Sequence, residues 1–456
     1  MRRRLAGWGA PAAALAACLL WTRAGAETVA LVGATVHTVS GPTLENATVV
    51  LRDDKIAAVG ANLAAPEGAR VVSCQGKHVY PGFIAPISAL GLVEIGSVRG
   101  TVDYAETGDV NPNIRAQVAI NPESDLIPVA RVNGLTSALI VPRGGELNGT
   151  SALIHLDGWT FEDMTIKAPV GLHVQWPAMG INRSRYERRS EEEQKKQREA
   201  ALATIHKAFD DARAYWKAHD AERQPGIPRH DRDVKWDAMG RALRGEIPVF
   251  FQASAINQIQ AVLRFVDEQS LKNVVLVDGY DAWRVADELK RRDIAVITGP
   301  TLSLPRRSYE PYDQGMSLPA RLSAAGVRFC ISDGGDGGEA SNARNLPYHA
   351  AMAAAYGLPH DEALKAITLY PAQILGVADR LGSLEPGKLA DLLVADGDPL
   401  EITTHVEQVW IAGKSISMEN RQTRLFHKYD QRPRGPHARK HDEASASGGS
   451  TGSGRH

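Results

Sequence analysis

Few side chains in this 456-residue chain stand where they could do chemistry. The first is Asp333, in Ile331-Ser332-Asp333-Gly334-Gly335, at the end of an apolar run. A carboxylate there can act as a base or hold a cation, or it can cap the backbone of the turn made by the two glycines. Both readings stand on the sequence. Two imidazoles lie in the central region, His155 in Ala152-Leu153-Ile154-His155-Leu156 and His173 in Gly171-Leu172-His173-Val174. Either could ligate, but their spacing matches no metal site, and an isolated histidine of this kind is more commonly half-buried and hydrogen-bonded. His349, in Leu346-Pro347-Tyr348-His349, is expected at the surface. Two polar, glycine-containing stretches, 94–106 and 142–151, carry Arg99, Asp103, Glu106, Arg143 and Asn148. That set suits a polar or zwitterionic small molecule, and it could equally satisfy itself across a rigid pair of loops.

The rest of the chain must position these groups. A hydrophobic content of 43% and a formal net charge of -1 suit one large core with a smaller domain and argue against a nucleic-acid partner. The chain opens Met1-Arg2-Arg3-Arg4, continues apolar through Trp21 and reaches Ala24-Gly25-Ala26, the three parts of a secretory signal. Cleavage after residue 26 and export to the periplasm or beyond are expected, with lipoprotein processing at Cys18 in Leu15-Ala16-Ala17-Cys18 as the alternative. The apolar run is too short to span a membrane after translocation. Cys74 and Cys330, expected in different domains, read as two buried thiols rather than a disulfide. The other end is rich in Pro, Gly, Ser and basic residues; it reads as an unfolded tail, and His437, His441 and His456 within it as solvated side chains.

Alternation of apolar and polar residues from Thr28 to Ile56, broken at Ser40-Gly41-Pro42 and Arg52-Asp53-Asp54-Lys55, has strand spacing. The same pattern returns in 392–395 and 406–411, with Ala412-Gly413-Lys414 as a turn. Both ends are therefore expected to build one small β-sandwich. Between them, apolar runs at 137–141, 248–251, 273–277, 295–298 and 327–331 alternate with amphipathic helices such as 282–292, the order of a parallel α/β barrel. Residues 183–219 form a charged helical insertion, with Ser190 and Glu193 as a capping box and Leu202, Ile205, Phe209, Ala212 and Trp216 on one face.

Two runs carry a resemblance. Gly76-Lys77-His78-Val79-Tyr80-Pro81-Gly82-Phe83-Ile84 resembles the first barrel strand of the amidohydrolase superfamily, in its imidazolonepropionase-like branch. The second run is Gly382-Ser383-Leu384-Glu385-Pro386-Gly387-Lys388-Leu389-Ala390-Asp391-Leu392, with Gly397-Asp398-Pro399 after it, and is similar to that family nearly residue for residue. The resemblance spans residues 29–413. It implies a (β/α)8 TIM-like barrel with a small composite β-sandwich built from the N- and C-terminal segments. The expected layout is a signal over 1–26, sandwich parts at 27–80 and 382–426, the barrel at 81–381 and the tail at 427–456.

The resemblance also implies a zinc site at the C-terminal mouth of the barrel, where neutral imidazoles acidify a bound water and an aspartate accepts its proton. The positions it points to carry other residues. The His-x-His pair falls on Ile87 and Ala89, the preceding aspartate on Ala85, the fifth-strand histidine on Gln252 and the sixth-strand histidine on Tyr280. No lysine occupies a convincing fourth-strand position, and only the eighth-strand aspartate survives, as Asp333. No metal ligand set is assigned. Two functions follow as expectations. One is hydrolysis of non-peptide C–N bonds, in cyclic amides or small acylated amino compounds, by a strongly altered site with Asp333 as the catalytic candidate. The other is a catalytically inactive binding protein that holds a small polar molecule through Arg99, Asp103, Glu106, Arg143, Asn148, Gln252 and Tyr280. A homo-oligomer, or pairing with an active relative, is the expected assembly.

Overall fold

The computed structural model describes residues 27–335 and 338–432. The expected signal, Cys18 and the three tail histidines lie outside the described residues.

Five strands lead the described chain: β1 Thr28–His37, β2 Thr43–Arg52, β3 Lys55–Ala61, β4 Arg70–Ser73 and β5 His78–Pro81. Ten occupy the middle: β6 Phe83–Ser88, β7 Leu135–Ile140, β8 Leu147–Thr150, β9 Ala152–His155, β10 Thr165–Lys167, β11 Leu172–Gln175, β12 Val249–Ala253, β13 Val274–Asp278, β14 Ala295–Thr298 and β15 Phe329–Ile331. Three close the fold: β16 Leu392–Ala395, β17 Val406–Ile411 and β18 Lys414–Ile416.

The first and last groups share one sheet in the order β18-β17-β16-β5-β1-β2-β3, with β4 added beside β1. The join is β5, which pairs parallel with β1 and antiparallel with β16 in the register Leu392↔Pro81 to Ala395↔His78. Alternation selects the side chains that this sheet buries, among them Val29, Leu31, Val49, Leu51, Leu392 and Trp410. Each fully buried aliphatic side chain such as Leu31 contributes about 1.5–3 kcal/mol. The turn between β17 and β18 has Ala412 at φ 47° and Gly413 at φ 76°. Two consecutive positive values match the twist of a tight hairpin, and a Cβ on Gly413 would lie 1.8 Å from the Asp53 carbonyl oxygen, so only glycine fits there.

The central strands form two sheets, β10-β9-β7-β6 and β15-β14-β13-β12-β11-β8. The strands β11 to β15 pair parallel throughout, and β6 pairs parallel with β7, as the alternating pattern predicts. The all-parallel expectation fails between β7 and β11. There β9 returns antiparallel on β7, β10 on β9, and β8 antiparallel on β11. A parallel crossover needs a dozen or more connecting residues, usually helical, and the helix in this stretch is only Phe161–Met164. The outer edges β6 and β15 do not pair directly. Ile84 N–H donates to the Ile367 carbonyl at 2.9 Å and Ile331 N–H to the Ala366 carbonyl at 3.0 Å, so residues 366–367 bridge them. Between the sheets lies one apolar cluster that includes Ile84, Ile87, Leu139, Phe250, Val277 and Ile297.

Gly82 explains one part of the Pro-Gly-Phe-Ile run. A Cβ there would sit 2.2 Å from both Oγ1 and Cγ2 of buried Thr136 on β7. Gly82→Ala is expected to lose about 1–3 kcal/mol as β6 moves off β7. An unchanged urea midpoint would show that the close approach is not needed.

The insertion helix runs Glu191–Ala221, with the Ser190/Glu193 capping box present. It buries Ala201, Ile205, Ala208, Phe209 and Ala212, while Leu202 and Trp216 are only half-buried. Helix Arg421–Asp430 crosses the boundary placed at residue 427. Cys74 and Cys330 are buried free thiols, and burial pushes both upward, Cys74 to about 11.

Candidate functional site

Parallel strands bring their C-terminal ends to one side, and at that side of β6, β12, β13, β14 and β15 the chain opens a cavity of about 220 Å³. Ile87, Arg143, Gln252, Asp278, Arg306 and Ser332 line it. Behind Arg143 and Gln252 lies a smaller space of about 20 Å³, walled by Asn148, His173, Gln175 and Phe250. That is room for a single water.

Three of the seven binding candidates meet at this mouth. Gln252, next to last in β12, lines both spaces. Arg143 Nη2 donates to the Gly335 carbonyl at 2.8 Å, which ties the 142–151 loop to the turn after β15. Asn148, with its amide oriented to satisfy both bonds, donates to the Gly144 and Gly145 carbonyls at 2.8 and 2.9 Å. It braces its own loop as well as lining the smaller space.

The other four do not arrive. Arg99, Asp103 and Glu106 are exposed and line neither space. Arg99 Nη1 donates to its neighbour Val102 O at 2.8 Å. Their loop reaches the mouth through backbone instead, with Arg143 N–H donating to Tyr104 O at 2.6 Å. Tyr280 is buried behind the cavity; its hydroxyl donates to Glu310 at 2.8 Å, and burial pushes the phenol up so that it stays protonated. Tyr280 lies two residues beyond the end of the strand. β13 ends at Asp278, the chain turns at Gly279 with φ 51°, and the Asp278 carboxylate enters the cavity.

Asp278 is held by both guanidinium nitrogens of Arg306, at 2.8 and 3.0 Å, and Arg306 lies over the Tyr280 ring at 4.6 Å. Such a fork-on-carboxylate pair fixes both partners. Neither residue carried a local sequence signal beyond the strand-ending position of Asp278. Asp333 is fully buried just beyond β15. Beside it, Ser332 Oγ accepts from Gly334 N–H at 3.0 Å.

The three histidines separate. His155 lies 3.0 Å from the Asp391 carboxylate of the terminal sheet, away from the mouth, outside good hydrogen-bond angles but within ion-pair range. Burial lowers its pKa and Asp391 more than reverses this, so the net shift is upward. His349 is buried rather than superficial: its Nδ1 accepts from Leu302 N–H at 3.3 Å, because the helix Leu346–Ala355 turns it inward under Thr301. His173 is the one that sequence reasoning undervalued. Its ring stacks on Phe250 at 4.6 Å, it is 4% exposed, and Nε2 has no hydrogen-bond partner among the described residues. Burial first, and the Arg143 charge second, push it down to about 3, so it is a neutral imidazole at the mouth.

These residues do not fit a zinc ion. Ile87 offers no donor, Ala89 packs against Val93, Val102 and Ala340, and Asp278 is committed to Arg306. Among the described residues no group of three His, Cys, Asp or Glu side chains could hold a metal.

Residues 306–416 match the sequence model of the amidohydrolase family. The amidohydrolase tasK of Hapsidospora irregularis is 25% identical over 389 residues, covering 76% of this chain and 37% of tasK, so the chain spans little more than a third of that relative. A putative N-acetylgalactosamine-6-phosphate deacetylase of Escherichia coli (strain K12) is 41% identical over 61 residues, 13% of this chain and 34% of that protein. Among solved structures, an amidohydrolase from Thermotoga maritima MSB8 aligns with TM-score 0.76 and 28% identity, over 85% of this chain and 99% of its own.

Proposed function

Because the chain belongs to the amidohydrolase superfamily, we propose that it acts on non-peptide C–N bonds of a small polar compound, a cyclic amide or an acylated amino compound, through a mouth that dispenses with the family zinc cage. The observation that carries this is the pair Ile87 and Ala89, aliphatic groups packed where nitrogen donors would be needed. Without a Lewis acid, the charge that grows on a carbonyl oxygen under attack must be met by protein donors. Arg143 and Gln252 are donors that line the mouth. Neutral His173, which walls the smaller space, can take a proton from an attacking water, with Asp333, buried just beyond β15, as the further candidate. In the same reading the two central sheets make one barrel, the terminal sheet is its companion sandwich, and the basic-apolar start exports the protein.

A second reading is favoured by the burial of Ile87, which is 3% exposed. An aliphatic side chain at the centre of the mouth gives nothing to a reaction and shapes a floor for a bound ligand. On that reading the protein binds without hydrolysing, alone or beside a fully equipped relative.

Metal analysis tests the shared premise. Purified without a histidine tag and with residues 433–456 removed, the protein is expected to hold well under one zinc per chain, and any amide hydrolysis should survive chelators. Stoichiometric zinc that is lost in Asp333→Ala would overturn it. With the premise intact, turnover of acylated amino compounds that falls at least about a hundredfold in His173→Phe supports the hydrolase, and saturable binding without turnover supports the binder.

A further inference from the structure

The helical insertion roofs a second space that the mouth does not use. Between the loop at Gly145 and Glu146, the exit of β11 at Gln175 to Pro177, and the first turns of helix Glu191–Ala221 lies a cavity of about 380 Å³. That is the size of a small-ligand pocket. Two polar atoms of residues on its walls are buried without a partner among the described residues, Glu146 Oε2 and the indole nitrogen of Trp176, a residue that is 2% exposed. Orphaned buried groups are uncommon in native proteins and call for a physical explanation.

The charges around the cavity are arranged with opposite signs on opposite walls. At the loop wall, burial and then the nearby Asp109 carboxylate push the Glu146 carboxyl upward, so the group lacks a compensating cation. At the helix wall stand Arg189 and Arg198. Arg189 is occupied by Glu187 at 2.7 Å. Arg198 gives one N–H to the Met179 carbonyl at 3.2 Å and has further donors to offer. A ligand with a positive end and a carboxylate would therefore find an acid at one wall and a guanidinium at the other.

We propose that this cavity binds a small zwitterion of the amino-acid or dipeptide class, its ammonium at Glu146 and its carboxylate at Arg198. The site abuts the mouth through Gln175, which lines both spaces, but the inference does not rest on the reading of the mouth. It also gives the insertion a use beyond packing its apolar stripe.

Calorimetric titration of the full chain with alanyl-alanine, its N-acetyl form and its C-terminal amide tests this. The free dipeptide is expected to bind saturably, with each blocked form at least about tenfold weaker. Glu146→Gln should erase the discrimination against the N-acetyl form, and Arg198→Gln that against the amide. Gln252→Leu, a change in the mouth, should leave the affinity within about twofold. No saturable binding up to ~10 mM dipeptide, equal binding of all three compounds, or loss of binding in Gln252→Leu with Glu146→Gln unaffected would each overturn the assignment.

Discussion

Acidification from pH 7 to about 4.5 is expected to destabilise the native chain by roughly 5 kcal/mol through His173 and His349 alone. Both are buried in the neutral form, His173 pushed down to about 3 by burial and by Arg143, His349 to about 4 by burial. In the unfolded chain each takes a proton near pH 6.5. Below that value the unfolded state binds protons that the native state refuses, so stability is full above about pH 6.5 and falls toward the two native values, by about 1.4 kcal/mol per pH unit for each histidine. His37, lowered by burial and by His78, adds to the loss. His155 opposes it, because its raised native pKa contributes stability below the unfolded value that fades as pH rises. The depressed carboxylates Asp281, Glu310 and Glu362 contribute stability above the unfolded carboxylate value and begin to lose it only at the acid end of this window, adding a few tenths of a kcal/mol each. Urea midpoints at the two pH values check the sum. His173→Phe keeps the stack on Phe250, removes an unpartnered nitrogen and should recover about half of the acid loss. An unchanged pH dependence in that variant would show that His173 is already protonated in the native state.

That histidine also marks where sequence stops being informative. Strand order, the insertion with its capping box, and the two ends meeting in one sheet were legible because each rests on local periodicity or on a run such as Gly382 to Leu392. The antiparallel returns of β8, β9 and β10 were not, because short connections decide them rather than strand pattern. At the site, Gln252 and Arg143 could be placed by counting along strands and loops. Asp278 needed the end of β13 to be known to the residue, and Tyr280 follows beyond the turn at Gly279. Arg306 comes from a distant loop, and no spacing links it to Asp278. The state of a histidine depends on what surrounds it: His155 has a carboxylate beside it, His349 a backbone N–H, and His173 an aromatic ring and a guanidinium. Three similar letters thus become three different chemical groups.

The second large effect lies in the loop that delivers Arg306. Arg307→Ala is expected to destabilise the protein by about 3–5 kcal/mol, because it takes the forked cation from buried Asp281, leaving it only Arg284 at 3.4 Å, and a cation from buried Glu310. Asp281 is fully buried and receives both guanidinium nitrogens of Arg307, the Nη1 contact at 2.9 Å, together with the Ile256 N–H at 3.0 Å. Burial alone would raise its pKa, and these partners hold it below the usual carboxylate range instead. Glu310, with a side chain only 3% exposed, takes Arg307 Nη1 at 2.6 Å and the backbone N–H groups of Arg306 and Arg307 at 3.0 and 2.9 Å. One guanidinium therefore folds the segment after β14 back on itself and anchors it to the turn after β13. Lysine cannot reproduce that fork, so Arg307→Lys should recover only part of the loss. The double variant Asp281→Leu with Arg307→Leu should be less destabilised than Arg307→Ala, since it removes both buried charges of the pair and leaves Glu310 and the more exposed Arg284 to be accommodated. Urea unfolding of the three variants measures the order, and a loss below about 1 kcal/mol in Arg307→Ala would mean that water reaches Asp281 and replaces the arginine. If the order holds, the same variant should also weaken ligand binding at the mouth, because Arg306 is held on Asp278 by the loop that Arg307 ties down.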